Sequence, residues 1–383
     1  MRIGIDYRNA VAPSSGVGVY TEQLVKHLLS QYPQLRLFLF VDKPVKDIFP
    51  DQANVQIVFV PASHRIAWEQ VALPLAANKL HLDILHRPSD VGGTLVPLSM
   101  HYVVTVHDLI PLMMRNIYLR NPFHRLYYYL KLCQTRVQAA HILTVSNQSK
   151  LDLIQRLGFS ATAITTTLNA LPSTNNRGKT AKFTSLSQRE FQLQPKQYIL
   201  GLGGSEYRKN NLRLAEAFLQ IRDQLSMPYQ LAIVGGRWRN TTDLDEYIRQ
   251  YHAQADILLL DQVTTAELQH LYEQAAVFVF PSLYEGFGIP ALEAMAHSTP
   301  TIVSNRGALP EVVDQAALLV DPSNTAELAS AIMEVLQNRD LQATLATRGL
   351  ENVKRFSYAR TAEQTFKVYQ ALCNNQQPLQ SFN

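Results

Sequence analysis

At 383 residues, 46% apolar and 17% charged, the chain has ordinary globular composition and length for two separately cored domains, because single cores stop growing at ~250–300 residues. A net charge of only +4 argues against a nucleic-acid partner, and Cys133 and Cys373, far apart and without ligand-like spacing, argue against a disulfide framework or a zinc site. The opening MRIGIDYRN breaks its apolar pattern at Asp6 and Arg8, and no apolar run approaches the ~18 residues of a membrane span, so a soluble or peripheral cytoplasmic protein is expected.

In chain order, RIGID, RLFLFVD, VQIVFVP, LDILH, YVVTVHD and HILTVS read as short buried strands. Helical patterns lie between them at Val19 to Ser30, Arg65 to Leu80 and Ser149 to Leu157. From Pro172 to Gln188 the chain turns polar and loses apolar periodicity, as a linker does. A second series follows: YILGLGG, LAIVGG, ILLLDQV, AVFVFPS, TPTIVSN and ALLVDP, alternating with helices near 211–225, 265–275, 289–297 and 324–338. Continuous apolar strands spaced by helices imply parallel sheets covered on both faces. Two doubly wound α/β domains are expected, over 1–180 and 181–356, with 357–383 a helix and tail returning to the first.

Open parallel sheets bind ligands at the carboxyl ends of their strands, and the candidate motifs fall in strand-to-helix loops. Ser14-Ser-Gly-Val-Gly-Val-Tyr20 opens the first long helix. Gly16 and Gly18 there let backbone approach a phosphate or sugar, or simply make a turn; the third glycine of a dinucleotide fingerprint is absent, and only Asp42 ends the second strand as an acid. Gly203-Gly-Ser-Glu-Tyr-Arg-Lys-Asn210 sets Arg208 and Lys209 at a second loop, to neutralise a diphosphate or as a solvated pair. Asp243-Leu-Asp245 matches a metal-binding pattern, but acids also suit a helix's first turn through the macrodipole, which is the preferred reading. In SLYEGFGIPALEAM, Glu285 falls in a loop and Glu293 one turn into the helix that Pro290 opens. Two carboxylates so placed suit two sugars of one ligand, a transferred hexose and a nucleotide ribose. From Leu109 to Leu151 there is no Asp or Glu, while Arg115, Arg120, Arg125, Lys131, Arg136 and Lys150 mix with tyrosines. That stretch suits an anionic membrane, or a solvated basic face with tyrosines turned inward.

The run EGFGIPALEAMA, followed by TPTIVSNRGALPEV and ALLVDP, resembles the signature of the large retaining glycosyltransferase family called family 4, of GT-B fold. The resemblance is specific over 198–322 and thinner before it, resting on Gly16 to Gly18, on His107-Asp108 and on TVSNQSK. It implies two Rossmann-like domains facing a cleft, and hexose transfer from a UDP- or GDP-sugar, UDP-glucose first and GDP-mannose next. The expected acceptor is an oligosaccharide or polyprenyl-linked glycan of cell-surface or exopolysaccharide synthesis. Catalytic roles are expected for His107 and Glu285. Donor contacts are expected from Gly16, Gly18, Gly204, Ser205, Arg208 and Lys209, and from Val263, Gly286, Phe287, Gly288, Ile289 and Glu293. Where many members carry an arginine after the strand glycine this chain has Gly204-Ser205, so Arg208 is expected to substitute. No metal or cofactor is expected. An epimerase or phosphorylase of the same fold, or a sugar-nucleotide binder without catalysis, are the alternatives.

Overall fold

The computed structural model describes residues 1–11, 15–45, 48–49, 52–89, 91–172, 193–204, 206–235, 243–261 and 263–374. The chain divides into two compact units, Met1–Pro172 with Ser357–Asn383, and Ser173–Phe356. The expected linker, with its 180/181 boundary, lies almost wholly outside the described residues.

The first unit is built on β1 (Arg2–Asp6), β2 (Arg36–Val41), β3 (Val55–Phe59), β4 (Ile84–Arg87), β5 (His101–Val106), β6 (His141–Thr144) and β7 (Ile164–Thr166). They form one sheet in the order β3-β2-β1-β4-β5-β6-β7, every neighbouring pair parallel. The second carries β8 (Tyr198–Leu202), β9 (Gln230–Val234), β10 (Ile257–Leu260), β11 (Val277–Phe280), β12 (Thr301–Ser304) and β13 (Leu318–Val320). Its order is β10-β9-β8-β11-β12-β13, again all parallel. Each sheet reverses its strand order once, between β1 and β4 and between β8 and β11. At such a reversal the crossover helices leave to opposite faces and open a crevice outside the strand ends.

Burial follows the sequence pattern. Phe40, Leu85, Val104 and Ile142 share one core; Ile199, Phe218, Ile233, Val277 and Ile302 share the other. The helix expected at Arg65 to Leu80 is not one element. It runs as Arg65–Ala67, a π-turn Trp68–Ala72 and Leu73–Asn78. Pro74 has no N–H for the Gln70 carbonyl, and that carbonyl accepts from the Leu95 N–H at 3.1 Å instead. Strand β7 was not foreseen, because three residues, ITT, carry too little apolar pattern.

The C-terminal helix Tyr358–Asn374 packs on the Gly16–Gln31 helix of the first unit, as expected. Phe366 stacks on Tyr32 with centroids 3.7 Å apart. Tyr358 Oη donates to Asn169 Oδ1 at 2.7 Å, and Tyr369 Oη meets Nδ1 of the buried His86 at 2.6 Å.

Candidate active site

In the second unit, the loops leaving β8 and β11 lie side by side because those strands are neighbours at the reversal. After β8 the chain turns through Gly203 and Gly204, with φ of 102° and 54°. A Cβ on Gly203 would stand 2.2 Å from Cγ of Lys209. Glycine is therefore required there by the lysine stem that crosses it. A 3-10 turn, Tyr207–Lys209, leads to Asn210 in the left-handed region, φ 60°. Asn210 Nδ2 donates to the carbonyls of Pro281 and Pro322 at 3.1 and 2.7 Å, which ties this loop to those after β11 and β13. The Asn211–Ile221 helix follows.

Lys209, 9% exposed, points its Nζ at Glu285 Oε1 at 2.9 Å and lies 4.6 Å from the centroid of the Phe280 ring. The Arg208 guanidinium reaches the same carboxylate at 2.5 Å and Glu206 at 3.1 Å. Ser282 Oγ donates to Glu285 Oε1 at 2.7 Å. Burial by itself would raise the Glu285 carboxyl, but Lys209 and Arg208, with hydrogen bonds from Lys209 and Ser282, hold it below the ordinary carboxylate range. Glu285 is thus a buried, ionised carboxylate under two cations.

Its backbone is held from the next loop. Glu285 O accepts from the Ala308 N–H at 3.0 Å. Gly307, φ 61°, comes so close that a Cβ would lie 2.7 Å from that oxygen. Gly288, φ 109°, precedes the Ile289–Ala296 helix, and its missing Cβ leaves room for Leu309. Ile289 and Pro290 open the helix, while Gly286 lies between the held Glu285 and Phe287. The Phe287 side chain is 4% exposed and meets Phe356 edge-on at 5.5 Å, so it packs in the unit's interior. Glu293 sits one turn into the helix, where Tyr272 Oη donates to its Oε2 at 3.0 Å. Burial raises the Glu293 carboxyl, and the Tyr272 bond only partly opposes this. Tyr272 lies parallel to His297, centroids 5.9 Å apart. The two glutamates of one loop and helix therefore differ: two cations make one a stronger acid, and burial makes the other a weaker one.

Val263 is half-buried ahead of the Thr265–Gln274 helix, whose capping box joins Thr264 and Glu267. Ser205 lies outside the described residues. Asp243 and Asp245 occupy the first turn of the Asp243–Gln250 helix.

In the first unit, the Gly16–Gln31 helix is capped by Ser15, whose Oγ accepts from the Gly18 N–H at 3.3 Å. A Cβ on Gly16 would meet none of the described residues within 4 Å, so their packing does not demand a glycine there. His107 follows β5. Its Nε2 pairs with Pro88 O at 2.9 Å, and its ring meets Tyr20 edge-on at 4.9 Å. The carbonyl acceptor places the proton on Nε2.

Sequence reasoning missed Ser282, Tyr272 and Gly307, and also a buried ion cluster at the reversal of the first sheet. Arg8 bonds Asp6 at 2.9 Å and Glu69 at 3.2 Å; Arg87, 1% exposed, reaches Glu69 at 2.7 Å. The Arg8 guanidinium lies 3.7 Å from the centroid of the Trp68 ring. Burial alone would raise Glu69, but Arg87 and Arg65 hold it well below the usual carboxylate range. Asp6, Arg8 and Arg87 were each in plain view at strand ends. Nothing in the sequence links them to Glu69, which arrives through the irregular helix.

Two family models fit the chain: Glycosyltransferase Family 4 over residues 14–172 and Glycosyl transferases group 1 over 184–352. The chain belongs to this glycosyltransferase family. It is 34% identical over 231 residues to the O-antigen chain mannosyltransferase B of Escherichia coli, an alignment covering 60% of each chain. To the O-antigen chain mannosyltransferase RfbU of Salmonella typhimurium it is 29% identical over 245 residues, covering 64% of each. The chain thus spans under two thirds of the length of these curated relatives. Solved structures share the GT-B fold. Sucrose-phosphate synthase from Thermosynechococcus elongatus superposes with a TM-score of 0.74 at 20% identity, covering 97% of this chain and 99% of that one. HepE of Anabaena, in complex with UDP-glucose, gives 0.70 at 15%, covering 97% and 100%.

Proposed function

We propose that this glycosyltransferase moves a hexose, with retention, from a nucleotide diphosphate sugar to a glycan or lipid-linked glycan acceptor in cell-surface polysaccharide synthesis. The observation that carries the reading is the pairing of Arg208 and Lys209 with Glu285 at the strand reversal, on the loop that opens the Glu293 helix. A departing nucleoside diphosphate gathers negative charge, and fixed cations beside it stabilise that charge without reorganising. Lys209 and Arg208 have this role, Glu285 addresses the hexose, and Glu293 accepts from ribose hydroxyls. A sugar-contact role is also proposed for His107, which follows β5 in the first unit. As the bond from the anomeric carbon to the phosphate oxygen breaks, the acceptor oxygen attacks the same face and its proton passes to the leaving phosphate. No divalent metal takes part.

The two mannosyltransferase relatives move the preferred donor from UDP-glucose to a mannosyl nucleotide, GDP-mannose. Peripheral placement at the cytoplasmic face of the membrane goes with a lipid-linked acceptor. Among the described residues no helix is long and apolar enough to cross a membrane.

One experiment tests the reading. Purified protein is given GDP-mannose or UDP-glucose with a polyprenyl-linked oligosaccharide, with and without EDTA. Mannosyl transfer that persists in EDTA and yields the α-linkage supports it. Glucosyl transfer alone restores the earlier donor order. Loss in EDTA with recovery in manganese returns Asp243 and Asp245 as metal ligands. Donor interconversion without acceptor, or binding without turnover, overturns transfer itself.

A further inference from the structure

Three buried tyrosines donate to neutral oxygens. Tyr102 Oη bonds the Gly92 carbonyl at 3.0 Å, Tyr198 Oη the Leu271 carbonyl at 2.6 Å and Tyr358 Oη the Asn169 Oδ1 at 2.7 Å. Such acceptors satisfy a buried hydroxyl without taking a charge out of water. Tyr272 departs from this pattern, because its hydroxyl donates to Glu293 Oε2 at 3.0 Å. The helices that carry the two residues, Thr265–Gln274 and Ile289–Ala296, pack on each other.

The tyrosine ring is held by other means. It is 1% exposed, meets Phe278 edge-on at 5.3 Å and lies parallel to His297 at 5.9 Å, while the Tyr272 carbonyl accepts from Thr299 Oγ1 at 2.7 Å. A neutral oxygen would have served that hydroxyl at lower cost, so the carboxylate answers to a second partner. Glu293 is half-buried, and among the described residues Tyr272 is the one hydrogen-bond donor to its side chain. A carboxylate has room for about four donors, which leaves Oε1 for a ligand. Burial raises the Glu293 carboxyl and the tyrosine bond opposes this, since the hydroxyl donates to the charged form. The same bond fixes the plane of the carboxylate before a ligand arrives, so less side-chain freedom is lost on binding.

We propose that Tyr272 is a positioning residue for nucleotide binding: it holds the Glu293 carboxylate so that Oε1 accepts from a ribose hydroxyl. The inference rests on the reading of Glu293 as the ribose acceptor and adds the group that orients it. Tyr272 acts through Glu293, its ring being enclosed by Phe278 and His297.

GDP and UDP are titrated into the full chain by calorimetry, and the one that binds is compared with its 2′,3′-dideoxy analogue, which lacks both ribose hydroxyls. Tyr272→Phe keeps the ring and should weaken the ribonucleotide about three- to tenfold while leaving the dideoxy analogue unchanged. Glu293→Ala should show the same selectivity with a larger loss, and adding Tyr272→Phe to it should weaken binding no further. Unchanged far-ultraviolet dichroism verifies folding of each variant. Equal losses for both ligands in Tyr272→Phe would make the tyrosine a packing residue and overturn the inference. If Glu293→Ala discriminates between the ligands and Tyr272→Phe does not, the inference falls while the ribose reading stands. Absence of discrimination by Glu293→Ala, or binding of neither nucleotide, removes the ribose reading and the inference with it.

Discussion

Glu285 and Glu293 are eight residues apart and chemically opposite. Glu285 shares one oxygen among Lys209, Arg208 and Ser282, whereas Glu293 accepts from a tyrosine hydroxyl and, among the described residues, pairs with no cation. The pair can be separated by calorimetry with the free nucleotide and by turnover with the intact donor. Glu293→Ala should weaken nucleotide and donor alike, by roughly 1.5–3 kcal/mol for a lost charged hydrogen bond. Glu285→Ala should leave nucleotide affinity nearly unchanged and lower the rate of transfer. Equal losses of nucleotide affinity would reverse the two assignments. The sequence showed both carboxylates and Lys209, since all stand in recognisable loops. It did not show that the lysine and Glu285 would be hydrogen-bonded across 76 positions, because that contact depends on which strands are neighbours.

Loops and helix starts at this site are held by close backbone approach. Gly307 belongs to the loop after β12, yet it is Glu285's peptide that its missing side chain accommodates. Gly307→Ala should cost about 1–2 kcal/mol for a Cβ in the left-handed region, lower the melting temperature and slow transfer, since the new atom pushes on the Glu285 carbonyl. Gly16→Ala is the contrast. Among the described residues nothing would lie within 4 Å of its Cβ, so stability should hold or rise slightly. If donor or acceptor backbone contact runs over Gly16, affinity falls without a change in melting. A Gly307→Ala protein as stable and active as wild type would show that the loops adjust independently. Helix positions were legible from apolar periodicity and capping residues. The break at Trp68–Ala72 was not, because the Leu95 N–H that donates to the Gln70 carbonyl is brought there only in the folded unit.

The C-terminal helix completes the first unit through a buried polar contact as well as apolar packing. His86 is fully buried, with Nδ1 on Tyr369 Oη and Nε2 on Thr105 Oγ1 at 2.8 Å. Burial, and to a lesser degree His107, pushes the His86 imidazole down to about 3. Below its ordinary value near 6.5 the unfolded chain binds a proton that the folded one refuses. Its contribution to stability is therefore complete above that value and drains away as pH falls toward the folded one. Urea midpoints followed by near-ultraviolet dichroism should decline for wild type from pH 6.5 to 4. His86→Gln should be less stable at pH 7 and decline less steeply. Parallel curves would remove His86 as a source of acid sensitivity.

Apolar strands, helical spacing and glycine-bearing loops are local properties, and they sufficed for two parallel α/β units, for the returning helix and for the strand-to-helix placement of Lys209 and Glu285. Strand order is a property of the folded sheet. It placed Arg208, Lys209 and Glu285 in one cluster, joined Tyr272 to Glu293, and closed Asp6, Arg8, Glu69 and Arg87 into a buried network. It also decided the basic stretch: composition showed arginines and tyrosines without acids, while packing chose which face of the Pro122–Gln138 helix turned inward. Charge and hydropathy are written residue by residue, but their partners are chosen only when distant strand ends become neighbours and water is excluded between them.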